Sequence, residues 1–182
     1  MSVPTHDWRI VLICKYRSLF QPPSKAPVLA KGYPECGSGW SDVLERACDR
    51  IAEALRATEW IVFLKISSKN GSLRIYWSGE LSDFSRYRVQ NAVALAEARS
   101  AVTCELCGAR GQIHRSVGAL ITRCSEHAEG VLVPVKPRYM NVHIVHHRPI
   151  KGPSTVTCRR YDRDTDAFVD IGPSPIEFDA LK

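Results

Sequence analysis

The stretch from Cys104 to His127 constrains this chain more than any other, because a C-x-x-C pair precedes a C-x-x-H pair by sixteen residues. Thiolates and imidazoles are the ligands that tetrahedral zinc prefers, and two residues inside each pair let a tight turn aim both side chains at one ion. Four protein ligands also leave no coordination position for a reacting water. The sequence therefore predicts one structural zinc ion, held by Cys104, Cys107, Cys124 and His127.

The residues around the two pairs predict a small zinc unit. Gly108 directly follows the first pair and can take the left-handed conformation that such a turn favours. A β-hairpin is expected for the runs GQIHR and ALITR on either side of Ser116-Val117-Gly118. The second pair, in RCSEHAEG, is interpreted as the first turn of a short helix that ends at Gly130. Together these elements predict a treble-clef or zinc-ribbon-like unit, with His114 exposed or beside a ligand.

The chain before this unit shows a helix, a hairpin and a second helix. Four prolines in Phe20–Gly39 exclude a continuous helix there and predict a loop. Apolar residues at three- and four-residue spacing predict an amphipathic helix from about Ser41 to about Ala57. Two β-rich runs flank Asn70-Gly71, a dipeptide typical of a type I′ turn. A second helix is predicted from about Asp83 to Ser100, capped by Ser82 or Asp83.

A two-residue turn at Asn70-Gly71 fixes the register of the predicted hairpin. Lys69 then lies opposite Ser72. Further along, the register predicts the pairs Ile66 with Ile75 and Leu64 with Trp77 on an apolar face, and Lys65 with Tyr76 and Ser67 with Arg74 on the other face. The apolar face is expected to pack on the preceding helix.

The chain after His127 is expected to be extended. Residues from Arg138 alternate between polar and apolar, and two further strands are predicted around Asp164-Thr165. The final residues, from Ile176, are expected to form a short strand or a frayed end. The predicted fold class is α+β, with antiparallel C-terminal strands after the zinc unit. Its predicted parts are an N-terminal element and loop (1–33), the helix-hairpin-helix with the zinc unit (34–130) and a C-terminal β extension (131–182).

Composition and charge indicate a globular protein with a basic middle segment. Apolar residues make up 45% of the 182 residues, and no apolar run reaches the roughly 18 to 20 residues that a membrane span needs. Seven cysteines without an export signal favour reduced thiols and thiolate ligands in a cytoplasmic protein, including host cytoplasm for a phage-encoded chain. Residues 104–160 carry nine basic and three acidic side chains, whereas 161–182 carry two and six.

The nine basic side chains of 104–160 are the candidate contacts for a nucleic acid or a protein partner. An alternative is a solvated basic surface without such a role. The nine candidates are Arg110, Arg115, Arg123, Lys136, Arg138, Arg148, Lys151, Arg159 and Arg160.

Two other patterns carry weaker indications of a metal. His143, His146 and His147 fall on a predicted strand, where His143 and His147 face one way and His146 faces the other. The run Asp162–Asp166 starts like a calcium loop, but the glycine and the glutamate that complete such a loop are missing. An ordinary polar turn is the preferred interpretation of that run.

The motifs in residues 34–130 resemble a widespread group of small uncharacterised bacterial, phage and prophage proteins. That group has a C-G-x-G-W helix start, a K-E-K-F-G-x-L-R-x-Y hairpin, and T-C-E-x-C-G followed by C-x-x-H-A. This chain keeps Leu73, Arg74 and Tyr76 but has SSKNG in place of the K-E-K-F-G tract. The resemblance implies the same four zinc ligands and a mobile-element origin, and it implies no reaction.

Three functions remain open at this stage. The first is a non-catalytic binding or regulatory module, with zinc as a structural ion and a basic surface that contacts nucleic acid or the acidic face of a protein. The second is a phage-type inhibitor of a host nucleoprotein complex such as a CRISPR effector, in which the acidic residues Asp162 to Asp179 imitate phosphate. The third is a nuclease, for which His114 and the His143–His147 cluster are the candidate catalytic groups. No membrane partner or small-molecule substrate is expected.

Overall fold

The computed structural model describes residues 7–171. The short strand or frayed end predicted from Ile176 onward lies outside these residues. The described chain is α+β, as predicted, with four α-helices and three small sheets. The helices are α1 (Trp8–Lys15), α2 (Arg17–Phe20), α3 (Ser41–Ala54) and α4 (Asp83–Ser100).

Each of the three sheets has three strands. The first, in spatial order β1-β2-β3, contains Pro34–Glu35, Trp60–Lys69 and Ser72–Glu80. The second, in order β5-β4-β6, contains β4 (Gln112–Ser116), β5 (Ala119–Arg123) and β6 (Val131–Leu132). The third, in order β7-β8-β9, contains Val142–His147, Thr155–Asp162 and Ala167–Asp170.

The β2-β3 hairpin has the predicted turn, because Asn70 and Gly71 both have positive φ values, of 52° and 74°. The predicted pairs Lys69 with Ser72 and Ile66 with Ile75 are confirmed. The pairing of Leu64 with Trp77 is wrong: Phe63 pairs with Trp77.

The cause of the register error is a β-bulge between Phe63 and Lys65. The bulge adds one residue to β2 and so moves every earlier residue to the opposite face. Phe63 is therefore fully buried, and Leu64 is 42% exposed.

Both longer helices lie close to where they were predicted. The Ser82 hydroxyl accepts from the Ser85 amide at the start of α4, which spans the predicted residues. Helix α3 ends at Ala54, three residues before the predicted end near Ala57, because Leu55 turns to an extended conformation. One buried cluster joins these helices to α1, α2, β2 and β3, and its largest fully buried side chains are Trp40, Phe20 and Phe63.

The C-terminal sheet packs on α4 and is connected to the helices by the Asp166 carboxylate. The Tyr161 hydroxyl donates to Asp166 Oδ1 over 2.6 Å. Arg50 of α3 lies 2.8 Å from Oδ2, and Arg99 of α4 lies 3.4 Å from Oδ1. Only 10% of the Asp166 side chain is exposed, so a nearly buried charge is shared by two helices and the β8-β9 turn.

The confirmed strands around Asp164-Thr165 are β8 and β9, and Asp162–Asp166 lies at the polar turn between them. Across residues 7–171, the structure contains no helix with the length and apolar character that crossing a membrane would require.

Candidate metal centre

Four side chains converge where the motif predicted. Their ligand atoms, three sulfurs and one imidazole nitrogen, all lie within 4.8 Å of one another. Within residues 7–171 this is the one group of three or more histidine, cysteine, aspartate or glutamate side chains close enough to hold a metal ion. It consists of Cys104, Cys107, Cys124 and His127.

The distances inside the cluster fit a tetrahedral ion. Bonds of about 2.3 Å to sulfur and about 2.0 Å to nitrogen place two sulfurs about 3.8 Å apart, and a sulfur and a nitrogen about 3.5 Å apart. The Sγ atoms of Cys107 and Cys124 are 3.7 Å apart, and His127 Nδ1 lies 3.8 Å from Cys104 Sγ and 3.2 Å from Cys124 Sγ. All four cysteine and histidine ligands can therefore bind one metal ion.

The first pair lies on a tight turn that begins just after α4. The Cys104 amide donates to the Ala109 carbonyl over 2.8 Å, and the Gly108 amide donates back to the Cys104 carbonyl over 2.9 Å. Gly108 has a φ of +80°, which confirms the left-handed conformation expected there. This closed turn directs both thiols toward the same point.

The second pair follows β5, at the far end of the β4-β5 hairpin. That hairpin is confirmed, with Gln112 opposite Arg123 and Ser116 opposite Ala119. The predicted helix ending at Gly130 is wrong, because a single 3₁₀ turn covers Ser125–His127 and the chain then enters β6. Strand β6 pairs with β4, so the residues after His127 return to the hairpin as a third strand.

Backbone amides stabilise negative charge at the first sulfur. Burial opposes ionisation of Cys104, but hydrogen bonds from the Cys124, Cys107 and Leu106 amides lower its pKa to about 6. The pKa of Cys124 is also lowered, since its hydrogen bonds with His127 outweigh burial. Because a metal binds the thiolate and not the thiol, these donors favour the form of the site that binds a cation.

The segment Cys36–Trp40 packs directly on the first metal-binding turn. Gly37 donates its amide to Glu105 Oε1 over 3.1 Å, and Gly39 donates its amide to the Glu105 carbonyl over 2.9 Å. A Cβ at Gly39 would lie 2.7 Å from the Cys107 amide nitrogen, closer than real Cβ atoms approach. The missing side chain therefore allows the two backbones to touch.

Glu105, between the first two cysteines, is a buried charge that connects three parts of the structure. Its carboxylate accepts from Gly37, from the Ser68 hydroxyl of β2 and from Arg123 of β5. The Arg123 Nη1 to Glu105 Oε2 distance is 3.3 Å, and 13% and 12% of the two side chains are exposed. Neither this role of Glu105 nor the packing of Gly39 was predicted, although two glycines before Trp40 and a lone acid between the cysteines were visible signals.

The structure separates the nine basic candidates into exposed and partly buried groups. Arg123, Arg159 and Arg160 are partly buried, and Arg159 contacts Asp170 over 3.1 Å. Arg110 is exposed and forms an ion pair with Asp164. The exposed members of the set are Arg110, Arg115, Lys136, Arg138, Arg148 and Lys151.

The histidines outside the cluster lie in separate environments. His114 is buried, not exposed, and its Nδ1 lies 3.0 Å from the Gln112 carbonyl oxygen. His143 packs beside the rings of Tyr161 and Phe168, and burial together with the charge of Arg74 lowers its pKa to about 4. His147 stacks on Tyr87, with ring centroids 4.4 Å apart.

No protein-family model matches this chain, and neither the curated proteins nor the solved structures contain a match to it. The interpretation of the site therefore depends on its own residues and geometry.

Proposed function

We propose that Cys104, Cys107, Cys124 and His127 bind one zinc ion with a structural role. Three thiolates and one imidazole are a donor set that zinc prefers, and the distances between them suit its tetrahedral geometry. A four-coordinate ion in this cluster has protein ligands at every position. The observation that supports a structural role most directly is this complete set of ligands.

The proposed unit is closer to a zinc ribbon than to a treble clef. In a treble clef the second ligand pair begins an α-helix, whereas here it lies on a 3₁₀ turn that leads into β6. A metal-binding turn, a hairpin, a second turn and a returning strand are instead features of a ribbon. Because this segment buries few large apolar side chains, binding of the ion is proposed to supply much of its folding free energy.

We further propose that the chain acts by binding, and that its target is a nucleic acid or a nucleoprotein. The exposed basic side chains of 104–160 support this, since cationic side chains in excess over acidic ones favour contact with phosphates. The separate environments of His114 and His143 favour binding over nuclease chemistry, because an acid-base pair must share one site.

Salt dependence tests nucleic-acid binding. Fluorescence anisotropy with labelled single-stranded and double-stranded DNA and RNA should give a dissociation constant that rises steeply between about 50 and 200 mM salt. Lys136→Ala should reduce the slope of the logarithm of the dissociation constant against the logarithm of the salt concentration by about 1, which corresponds to one phosphate contact. The matched control, Lys25→Ala, removes an exposed lysine outside the basic segment and should leave the slope unchanged. Binding that is absent at low salt for all four nucleic acids would rule out this target.

The narrower proposal of a phage-type inhibitor of a host nucleoprotein, such as a CRISPR effector, is supported by the motif resemblance of residues 34–130. Purification of the tagged chain from its native host tests it. Recovery of one nucleoprotein complex at a fixed ratio to the chain, resistant to nuclease treatment, is the expected result. Recovery of bulk nucleic acid alone would favour general nucleic-acid binding instead.

A further inference from the structure

A groove of about 550 Å³ lies between β3, α4 and β7, in a part of the fold that the metal cluster does not include. Consecutive residues of β3, from Ile75 to Gly79, form one wall. Arg86 and Gln90 of α4 contribute the floor, and Ile144 of β7 lies on the opposite wall together with His146 and Arg148.

The groove lies beside the unpaired edge of β3. Within residues 7–171, β3 pairs only with β2. An unpaired strand edge presents amide and carbonyl groups that can pair with another extended chain. Strand β3 lines the groove with consecutive residues, so an added strand can form main-chain hydrogen bonds there, whereas β7 contributes the alternate residues Ile144 and His146 of one face.

Two contacts with α4 show in which direction the amides on the unpaired edge of β3 point. The Leu73 amide donates to the Ser100 hydroxyl over 2.7 Å, and the Ile75 amide donates to the Glu97 carboxylate. Alternate residues of a strand direct their amides to the same side. The amides of Trp77 and Gly79 therefore continue this row into the groove, past the residues that α4 already satisfies.

The charges that line the groove favour an acidic partner. Arg86 extends its guanidinium over the ring of Trp77, with its carbon atom 5.6 Å from the ring centroid, and its buried Nε has no hydrogen-bond partner. Arg148 is held through its main chain, by two hydrogen bonds of 3.0 Å with the Gln90 side chain, so its own side chain is not needed for that contact. The acidic group of the groove, Glu97, lies 3.7 Å from Arg74.

We propose that this groove binds an extended, acidic peptide segment of a partner protein, which adds as a strand to β3 and places a carboxylate on Arg86. Main-chain hydrogen bonds to Trp77 and Gly79 would supply affinity, and the arginines would select the acidic side chain. The four residues from Tyr76 to Gly79 offer an edge about 13 Å long at about 3.3 Å per residue. This proposal depends neither on zinc nor on nucleic-acid binding.

Selection from a bacterial-display library of random dodecapeptides tests the proposal with the full-length chain. Enriched peptides should alternate apolar and polar residues and contain aspartate or glutamate. Arg86→Gln should weaken the best peptide by about tenfold or more, since a charge-assisted hydrogen bond is lost. Arg148→Gln should also weaken it and spares the bonds to Gln90, so a folding defect of the first variant would not leave the test undecided.

Hydrogen exchange and a control variant complete the test. The bound peptide should slow exchange of the Trp77 and Gly79 amides, and Arg17→Gln, which replaces an exposed arginine of α2, should bind as the wild type does. Failure to enrich any peptide would overturn the proposal, and so would binding of the best peptide to Arg86→Gln and to Arg148→Gln with the affinity of the wild type. Self-association that Arg86→Gln abolishes would also overturn it, because the occupant would then be a second copy of the chain.

Discussion

The indole nitrogen of Trp40 donates a 2.8 Å hydrogen bond to the carbonyl oxygen of Thr103, the residue just before the first cysteine of the cluster. Trp40 is fully buried in the main core, and Thr103 is 3% exposed. The start of α3 and the start of the metal-binding turn are therefore held together inside the protein. Stability of the core and formation of the metal site are expected to depend on each other.

Trp40→Phe should destabilise the protein, because the buried Thr103 carbonyl would lose its donor. An unsatisfied buried group costs about 1–3 kcal/mol, to which the smaller ring adds a cavity. Chemical denaturation of the metal-loaded protein measures the free energy of unfolding. Trp60→Phe is the control, since Trp60 is 40% exposed and its replacement should cost within about 0.5 kcal/mol.

Gly39→Ala should weaken metal binding, because its Cβ would force the turn at Cys104–Gly108 to move. Changes to groups that orient metal ligands typically reduce affinity by about 10–100-fold. Competition with a chelator for zinc measures the affinity. The neighbouring Ser38→Ala removes only an exposed hydroxyl, 3.3 Å from the Leu106 carbonyl, and should keep the wild-type affinity. Equal affinities of the two variants would contradict the account of this contact.

Asp166 should make stability depend on acid pH. Burial alone would raise its pKa, but the Tyr161 hydrogen bond and the charges of Arg50 and Arg99 hold the pKa below the ordinary value of 3.8. A group with a lowered folded-state pKa contributes its full stabilisation above the unfolded-state value and loses it as pH falls through the folded-state value. The contribution of Asp166 should therefore be constant above about pH 5 and decrease progressively below about pH 4, as the pH falls toward the lowered folded-state pKa.

Asp166→Asn tests this contribution, because asparagine tolerates the positive φ of 50° at this position and carries no charge. Loss of the hydrogen bonds to a charged group should cost about 1.5–3 kcal/mol near pH 7. The difference from the wild type should shrink as pH falls below about 4. Asp164→Asn is the control, since its ion pair with Arg110 is exposed and contributes little. A pH-independent difference for Asp166→Asn would exclude the titration of Asp166 as its cause.

Arg123 and Arg115 should behave differently although both were candidate contacts for a partner. Arg123→Ala leaves the buried Glu105 carboxylate with one donor fewer and should cost about 1–3 kcal/mol. Arg115→Ala removes an exposed side chain and should change stability by less than about 0.5 kcal/mol. Thermal or chemical unfolding of the two variants, side by side, measures the difference, and a larger loss for Arg115→Ala would refute the assignment.

Local signals were sufficient to predict much of the fold. Hydrophobic spacing and a serine cap located α4, because both act within one or two turns of the helix. The Asn70-Gly71 turn set the register near the hairpin end, where the pairs depend only on the turn. The spacing of the cysteines and the histidine located the four side chains that could hold a metal ion for the same reason, since each pair lies on one turn.

Interactions between distant parts of the chain were not predictable in the same way. The bulge at Leu64 leaves no clear mark in the alternation of β2, and it becomes favourable only when Phe63 packs in the core. The Glu105 carboxylate accepts hydrogen bonds from Gly37, Ser68 and Arg123, and these residues become its neighbours only in the folded chain. The charge of Arg123 alone did not distinguish a surface cation from a buried partner.

The metal content of the purified chain tests most directly the central proposal, that the cluster binds one zinc ion. The chain, purified without added metal and analysed by inductively coupled plasma mass spectrometry, should contain one zinc ion per chain. Cys104→Ser with Cys124→Ser should abolish this content, whereas Cys14→Ser, at an exposed cysteine outside the cluster, should retain it. A wild-type chain that contains no stoichiometric metal and is stable in the presence of a chelator would contradict the account.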